Sequence, residues 1–220
     1  MTRKYWWPGL IMIIMAFAAT ALLYPSLPDP MPSHWNAAGE VDDYMALPWG
    51  ALILPLVMLG TWLLFLALPA ISPRGFRMSR FMGAYATIIN TILAFLLLVS
   101  GTVLTAAMGY AVEINRVVPI GIGILFVVIG NYLGKTTRNF FLGIRTPWTL
   151  ASDEVWRRTH RLAGWLFVLA GLIIAATGVF NIVRVWLFVG VVLVAALLPV
   201  IYSFFAYRQL EGFSDDDAQS

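Results

Sequence analysis

"NFFLGIRTPWTLASDEVWRRTHRLAG", residues 139–164, decides the fold. It carries four arginines, two tryptophans, a histidine and an Asp-Glu pair, and it lies between two long apolar runs. A chain that concentrates charge here and excludes it from both flanks is sorting its residues between two solvents. The whole sequence behaves the same way: of 220 residues, 60% are hydrophobic and only 11% charged, and the mean hydropathy is +0.84. A water-soluble domain carries about 25% charged residues. Here the apolar excess comes in blocks of spanning length, so a lipid bilayer is the solvent for most of the chain.

Working outward from that stretch, six blocks are long and apolar enough to span: 7–24, 48–71, 80–108, 118–134, 162–181 and 184–207. At a rise of ~1.5 Å per residue, ~20 residues cross the hydrocarbon core. The expected fold is therefore all-α, a polytopic membrane protein of about six transmembrane helices. The fourth block is short and rich in glycine, and the third is long enough to tilt. The opening "MTRKYWWPGLIMIIMAFAATALLYP" also has the pattern of a signal peptide, with Arg3 and Lys4 before an apolar run and Ala19-Thr20-Ala21 as a cleavage site. Because the chain that follows is itself membrane-embedded, the reading preferred is an uncleaved first helix. With no cysteine, disulfides, thiolate catalysis and cysteine-based metal sites are excluded.

The basic residues orient this layout. If both ends share one side, that side holds Arg3, Lys4, Arg74, Arg77, Arg80, Lys135, Arg138, Arg145, Arg157, Arg158, Arg161 and Arg208, which is 12 of the 14 lysines and arginines. Only Arg116 and Arg184 fall opposite. The positive-inside rule then places both termini in the cytoplasm. Trp6, Trp7, Trp49, Tyr202 and Tyr207 stand at block ends, where amphipathic rings prefer the headgroup level. The expected organisation is an N-terminal three-helix half, 1–108, a C-terminal three-helix half, 109–208, and a polar acidic tail, 209–220, expected to be disordered.

Two connections are long. The outer one, 25–47, has Pro25, Pro28, Pro30 and Pro32, which forbid a regular helix, and four acidic residues with no lysine or arginine. It reads either as a lid for a cationic or peptide ligand, with Trp35 and Tyr44 as apolar contacts, or as an acidic loop that simply obeys topology. His34 with Glu40, Asp42 or Asp43 is a weak metal signature, because zinc sites usually show two or more histidines or cysteines at tight spacing. Inside the blocks, Asn90, Thr91 and Asn131 either hydrogen-bond between helices or line a pathway. No Asp, Glu, Lys or Arg sits mid-block, which argues against proton-coupled transport. Gly121, Gly123, Gly130 and Gly134 form a small-residue face suited to close helix packing, with Gly130 and Gly134 in GxxxG spacing.

The inner connection, 135–161, contains the opening stretch. Gly143 and Pro147 break helix and predict a turn. Ser152 is placed to cap a new helix with Asp153 and Glu154 in its first turn. Trp156 and His160 are four apart, as are Arg157 and Arg161, so the segment has a basic, aromatic face of the kind that lies at a membrane surface. Its arginines suit anionic lipid or a partner protein. Catalysis is a poor fit: His160 has no cysteine or second histidine near it, and Gly-Ile-Arg-Thr-Pro lacks the Lys-Ser/Thr of a phosphate loop.

"GNYLGKTTRNFFLGIRTPWTLASDEVWRRTHRLAG", residues 130–164, resembles the signature of SdpI-type membrane proteins, which are immunity proteins against a sporulation-delaying peptide toxin. "LPDPMPSHWNAAGEVDDY", residues 27–44, is similar to the domain common at the N-terminus of the same proteins. The resemblance implies a multi-pass protein of the bacterial plasma membrane with no cofactor and no enzymatic step. It implies protection against a secreted peptide toxin outside and the holding of a repressor protein at the membrane inside, with lipid as the surrounding partner and no direct contact with nucleic acid. The residues it carries over are Pro32, His34, Trp35, Gly39 and Glu40 in the outer loop as toxin-sensing candidates. In the cytoplasmic loop they are Asn139, Gly143, Arg145, Thr146, Pro147, Trp148, Trp156, Thr159 and His160, as docking or structural candidates. Asp42-Asp43 stands where relatives often have Asp-Gly, which puts a tight turn there in doubt. Two other classes stay open: a small-solute channel or transporter with Asn90 and Asn131 near its path, and a membrane enzyme using a metal held by His34 and Glu40.

Overall fold

The computed structural model describes residues 5–72, 81–182 and 184–211. Arg3, Lys4, Arg74, Arg77, Arg80 and the acidic tail after Glu211 lie outside the described residues. Six helices are long and apolar enough to cross a membrane. They are α1 (Trp7–Leu23), α2 (Trp49–Ala67), α3 (Met82–Ala107), α4 (Ile114–Leu133), α6 (Asp153–Val179) and α7 (Val185–Leu210), with a short α5 (Pro147–Ala151) between α4 and α6. The fourth helix starts earlier than its hydropathy suggests, because Asn115 and Arg116 are polar yet occupy its first turn.

The fold adds one feature to the helical expectation. Residues of the proline-rich outer segment form a two-stranded antiparallel hairpin, β1 (Met31–Trp35) and β2 (Val41–Met45). Its turn falls at 36–40, not at Asp42-Asp43, which lie within β2. Asn36 Oδ1 accepts from the backbone N–H groups of Ala38 and Glu40, and Gly39 takes φ +84°, a left-handed value that favours glycine. The hairpin is held at its base by Met31, fully buried against Leu27, Ala51, Leu104 and Ala107. It is also held near its tip, where Asn115 of α4 donates to the Ala37 carbonyl at 3.4 Å.

Helices α1, α2 and α3 share a core of Trp6, Ile13, Ala16, Met58, Phe81, Ala84, Tyr85, Ile89 and Leu93. Tyr85, buried there, donates its hydroxyl to the Phe65 carbonyl at 2.7 Å. The second half is built differently. Helices α4 and α6 run antiparallel with backbones in contact, and glycine makes this possible. A Cβ added to Gly130 would stand 2.6 Å from the Gly164 carbonyl, and one added to Gly171 would stand 2.5 Å from the Gly123 carbonyl. One added to Gly178 would stand 2.8 Å from the Arg116 carbonyl. The contacts recur every seven residues on both helices, the spacing that keeps one face of each helix on its partner. The close packing expected of Gly123 and Gly130 is seen, and Gly134 also faces α6. A Cβ at Gly134 would make ordinary contact 3.7 Å from the His160 carbonyl, whereas Gly121 faces Phe95 and Leu98 of α3 instead.

The basic aromatic segment also differs from expectation. Ser152 caps α6 as its sequence predicts, accepting from Val155 N, but the helix then runs unbroken for 27 residues into the apolar part, without a separate surface-lying piece.

Candidate functional site

The connection from α4 to α6, opposite the hairpin, is a compact platform built around the first turns of α6. Its centre is Asn139, whose side chain is fully buried and makes four hydrogen bonds. Nδ2 donates to the carbonyls of Thr137 (2.8 Å) and Leu142 (3.0 Å), and Oδ1 accepts from the N–H groups of Phe141 (2.9 Å) and Leu142 (2.7 Å). This uses the full bonding capacity of a carboxamide and folds 137–142 into a tight loop. Asn139→Asp is expected to lower unfolding free energy by ~3 kcal/mol, since two donors become acceptors facing carbonyls in a buried site. Thermal unfolding of the solubilised protein checks this; an unchanged midpoint would contradict the role.

The chain then passes Gly143, at φ +110°. A Cβ there would sit 2.2 Å from His160 Nε2. His160 is fully buried. Its Nε2 accepts from Ile144 N at 3.0 Å, and its Nδ1 pairs with the Trp156 carbonyl at 2.8 Å. Accepting at Nε2 fixes the neutral tautomer with the proton on Nδ1. The imidazole stacks on the Trp156 indole with centroids 3.9 Å apart, and the indole N–H donates to the Thr136 carbonyl at 3.0 Å. Both nitrogens of His160 are therefore committed to backbone, and neither is available as a general base.

Thr146 and Thr149 cap α5 reciprocally, with Pro147 at the first helical position, so Pro147 starts a helix here where a break is expected. Three contacts tie this part to α7. They are Thr146 Oγ1 to Ser203 Oγ at 3.1 Å, Trp148 edge-on to Phe204 at 5.2 Å, and Ser152 Oγ donating to Glu211 Oε1 at 2.7 Å. On the other flank Phe141 and Leu142 pack on the α1–α3 core. Arg138 donates to the Leu150 carbonyl and pairs with Asp153 at 2.9 Å, while Arg145 donates to the Phe140 carbonyl.

Of the sequence-derived inner candidates, Asn139, Gly143, Thr146, Trp156, Thr159 and His160 form the framework. Thr159 is fully buried, and its hydroxyl has no partner among the described residues. Trp148 is half-buried, and Arg145 and Pro147 are exposed. Thr136, Arg138, Thr149, Ser203 and Glu211 complete the framework and were not singled out by sequence, since their partners lie up to 59 residues away. Arg157 and Arg158 pair with Glu154 on the helix surface.

In the hairpin, Pro32 lies opposite Tyr44, Trp35 opposite Val41, and Gly39 makes the turn. His34 is exposed and pairs through Nδ1 with Asp42, whereas Glu40 receives the Asn36 amide. The two candidate metal ligands thus face different partners, and no group of three or more potential ligands occurs among the described residues. Asn90 and Asn131 are also kept apart. Asn90 donates to the Tyr5 carbonyl and lines a cavity with Lys135 and Thr87, while Asn131 borders a separate crevice beside α6.

Residues 135–203 match the SdpI/YfhL protein family, and residues 11–59 match a domain of unknown function, DUF1648. The chain is 29% identical over 205 residues to the immunity protein SdpI of Bacillus subtilis (strain 168), covering 93% of this chain and 96% of that protein. No solved structure matches.

Proposed function

We propose that the chain, whose residues 135–203 match the SdpI/YfhL protein family, is an immunity protein of the bacterial plasma membrane, protecting its host against a secreted peptide toxin. The observation that carries this is a similarity that runs through hairpin, helices and platform alike. The charge bias of the connections supports an orientation with both termini and the platform in the cytoplasm and the hairpin outside. On that reading the hairpin meets the toxin. It offers Asp29, Glu40, Asp42 and Asp43 without a single lysine or arginine, next to the exposed ring of Tyr44, a surface that attracts a cationic amphipathic peptide. Pro32, His34, Trp35 and Gly39 shape that surface. Inside, exposed Arg145 and Pro147, with Trp148 behind them, present a docking face for a repressor protein. Signalling between the faces needs a toxin that binds two packings of the helices unequally. No covalent step is involved.

The test is survival of a toxin-sensitive bacterial host across a dose series of the sporulation-delaying peptide, with the intact protein, Arg145→Ala and His34→Ala at matched membrane levels. The intact protein is expected to raise the lethal dose, and His34→Ala to lower that protection severalfold by loosening the Asp42 pairing. Sensitivity unchanged by the well-inserted intact protein would overturn the proposal.

A further inference from the structure

At the platform end of the α4/α6 seam, the two backbones meet so closely that side chains cannot fill the groove above them. A crevice of about 220 Å³ remains, lined by Gly130, Asn131, Gly134, Arg161, Gly164 and Trp165, with Val168 at its deep end. Arg161 is the last charge before an apolar stretch that continues from Leu162 to Val179, so its guanidinium sits at the depth where headgroups meet hydrocarbon. Within the connection and the first turns of α6, Arg138, Arg145, Arg157 and Arg158 engage carboxylates or carbonyls. Arg161 is exposed and makes no ion pair or hydrogen bond among the described residues. One turn deeper, Trp165 is 73% exposed. Asn131 places an amide on the same exposed surface, with Nδ2 turned back to the Val127 carbonyl.

We propose that this crevice is a binding site for an anionic phospholipid of the leaflet at the platform face. The guanidinium takes two oxygens of the phosphodiester, and the Trp165 indole N–H lies at ester level, where such rings settle. The glycine floor lets the first part of an acyl chain lie against backbone down to Val168. The occupant is a lipid because the site opens sideways into the bilayer and joins one unpaired cation to an apolar trough. Proximity to an anionic leaflet favours that charge class.

Native mass spectrometry of the protein released from bilayers of equal parts phosphatidylglycerol and phosphatidylcholine tests this. A retained phosphatidylglycerol is expected, with little phosphatidylcholine. Arg161→Ala is expected to lower retention by about fivefold or more, the factor one basic residue supplies at such a surface. Gly134→Leu should also lower it: its Cβ makes only ordinary contact, 3.7 Å from the His160 carbonyl, and the rest of the side chain enters the crevice without changing charge. Arg157→Ala removes the same charge one turn away and should retain the lipid. Equal loss in Arg157→Ala and Arg161→Ala would reduce the effect to general surface charge and overturn the site. Retention unaffected by both Gly134→Leu and Arg161→Ala would do the same, as would displacement of the lipid by inorganic phosphate alone.

Discussion

Gly143→Ala is expected to cost about 3 kcal/mol or more of stability and to abolish protection, although it adds a single methyl group. Two effects combine. An alanine at φ +110° pays ~1–2 kcal/mol for a left-handed backbone. Its Cβ would also stand 2.2 Å from His160 Nε2, and the imidazole cannot retreat, because it is pressed on Trp156 and bonded at both nitrogens. Displacing it strands the part-buried Ile144 N–H, at ~1 kcal/mol or more. Thermal unfolding in detergent gives the first readout. Gly60→Ala is the control, since nothing lies within 4 Å of its Cβ, and it should be neutral or slightly stabilising, as alanine is the better helix former. A double variant with His160→Ala should cost less than the sum of the singles, because the clash partner is gone. Additivity would show that the strain lies elsewhere.

Gly171→Leu is expected to be the most damaging change within the bilayer. The added Cβ would meet the Gly123 carbonyl at 2.5 Å and Val127 N at 2.8 Å. Both neighbours are backbone, so relief requires the two helices to separate. Overpacking a well-packed interior costs about 1–3 kcal/mol, and here the displaced atoms belong to a seam that also sets the distance between Gly130 and Gly164. Well-folded, monodisperse protein should be lost on size exclusion. Gly101→Leu, on a face of α3 with nothing within 4 Å, should leave yield and unfolding midpoint close to the parent. Equal tolerance of both changes would rule out a seam set by backbone contact.

Much of this architecture was legible in the chain because hydropathy and capping are local. The six spans, the Ser152 cap and the turn at Gly143 follow from residues within one or two turns of each other. What was not legible depends on distant partners. The hairpin was hidden by Pro32 and the three prolines just before it, which argue against helix without arguing for strand. Pairing supplies the rest, along with burial of Met31 under α2 and α3. Asn139 was singled out by resemblance alone, since nothing local announces that its carboxamide will find four backbone partners. The glycine seam was half seen. The small residues were counted on α4, but the heptad match to Gly164, Gly171 and Gly178 appears only when two helices separated by a loop are laid side by side. The spacing of Trp156 and His160 was read as part of a membrane-surface face, whereas both side chains are buried; the stacked pair closing on Gly143 needed three dimensions.

The anchoring of the platform on both sides has a consequence for biosynthesis. Phe141 and Leu142 rest on α1–α3, which leave the ribosome before the platform, whereas Thr146, Trp148 and Ser152 wait for Ser203, Phe204 and Glu211 at the far end of α7. Chains are made and inserted from the N-terminus, so five helices can enter the bilayer while the connection between the fourth and the next lies unfastened. Translation of the last turn closes it. The platform thus reports the arrival of α7, and a copy truncated within α7 would present an open, misassembled face to the cell's membrane proteases.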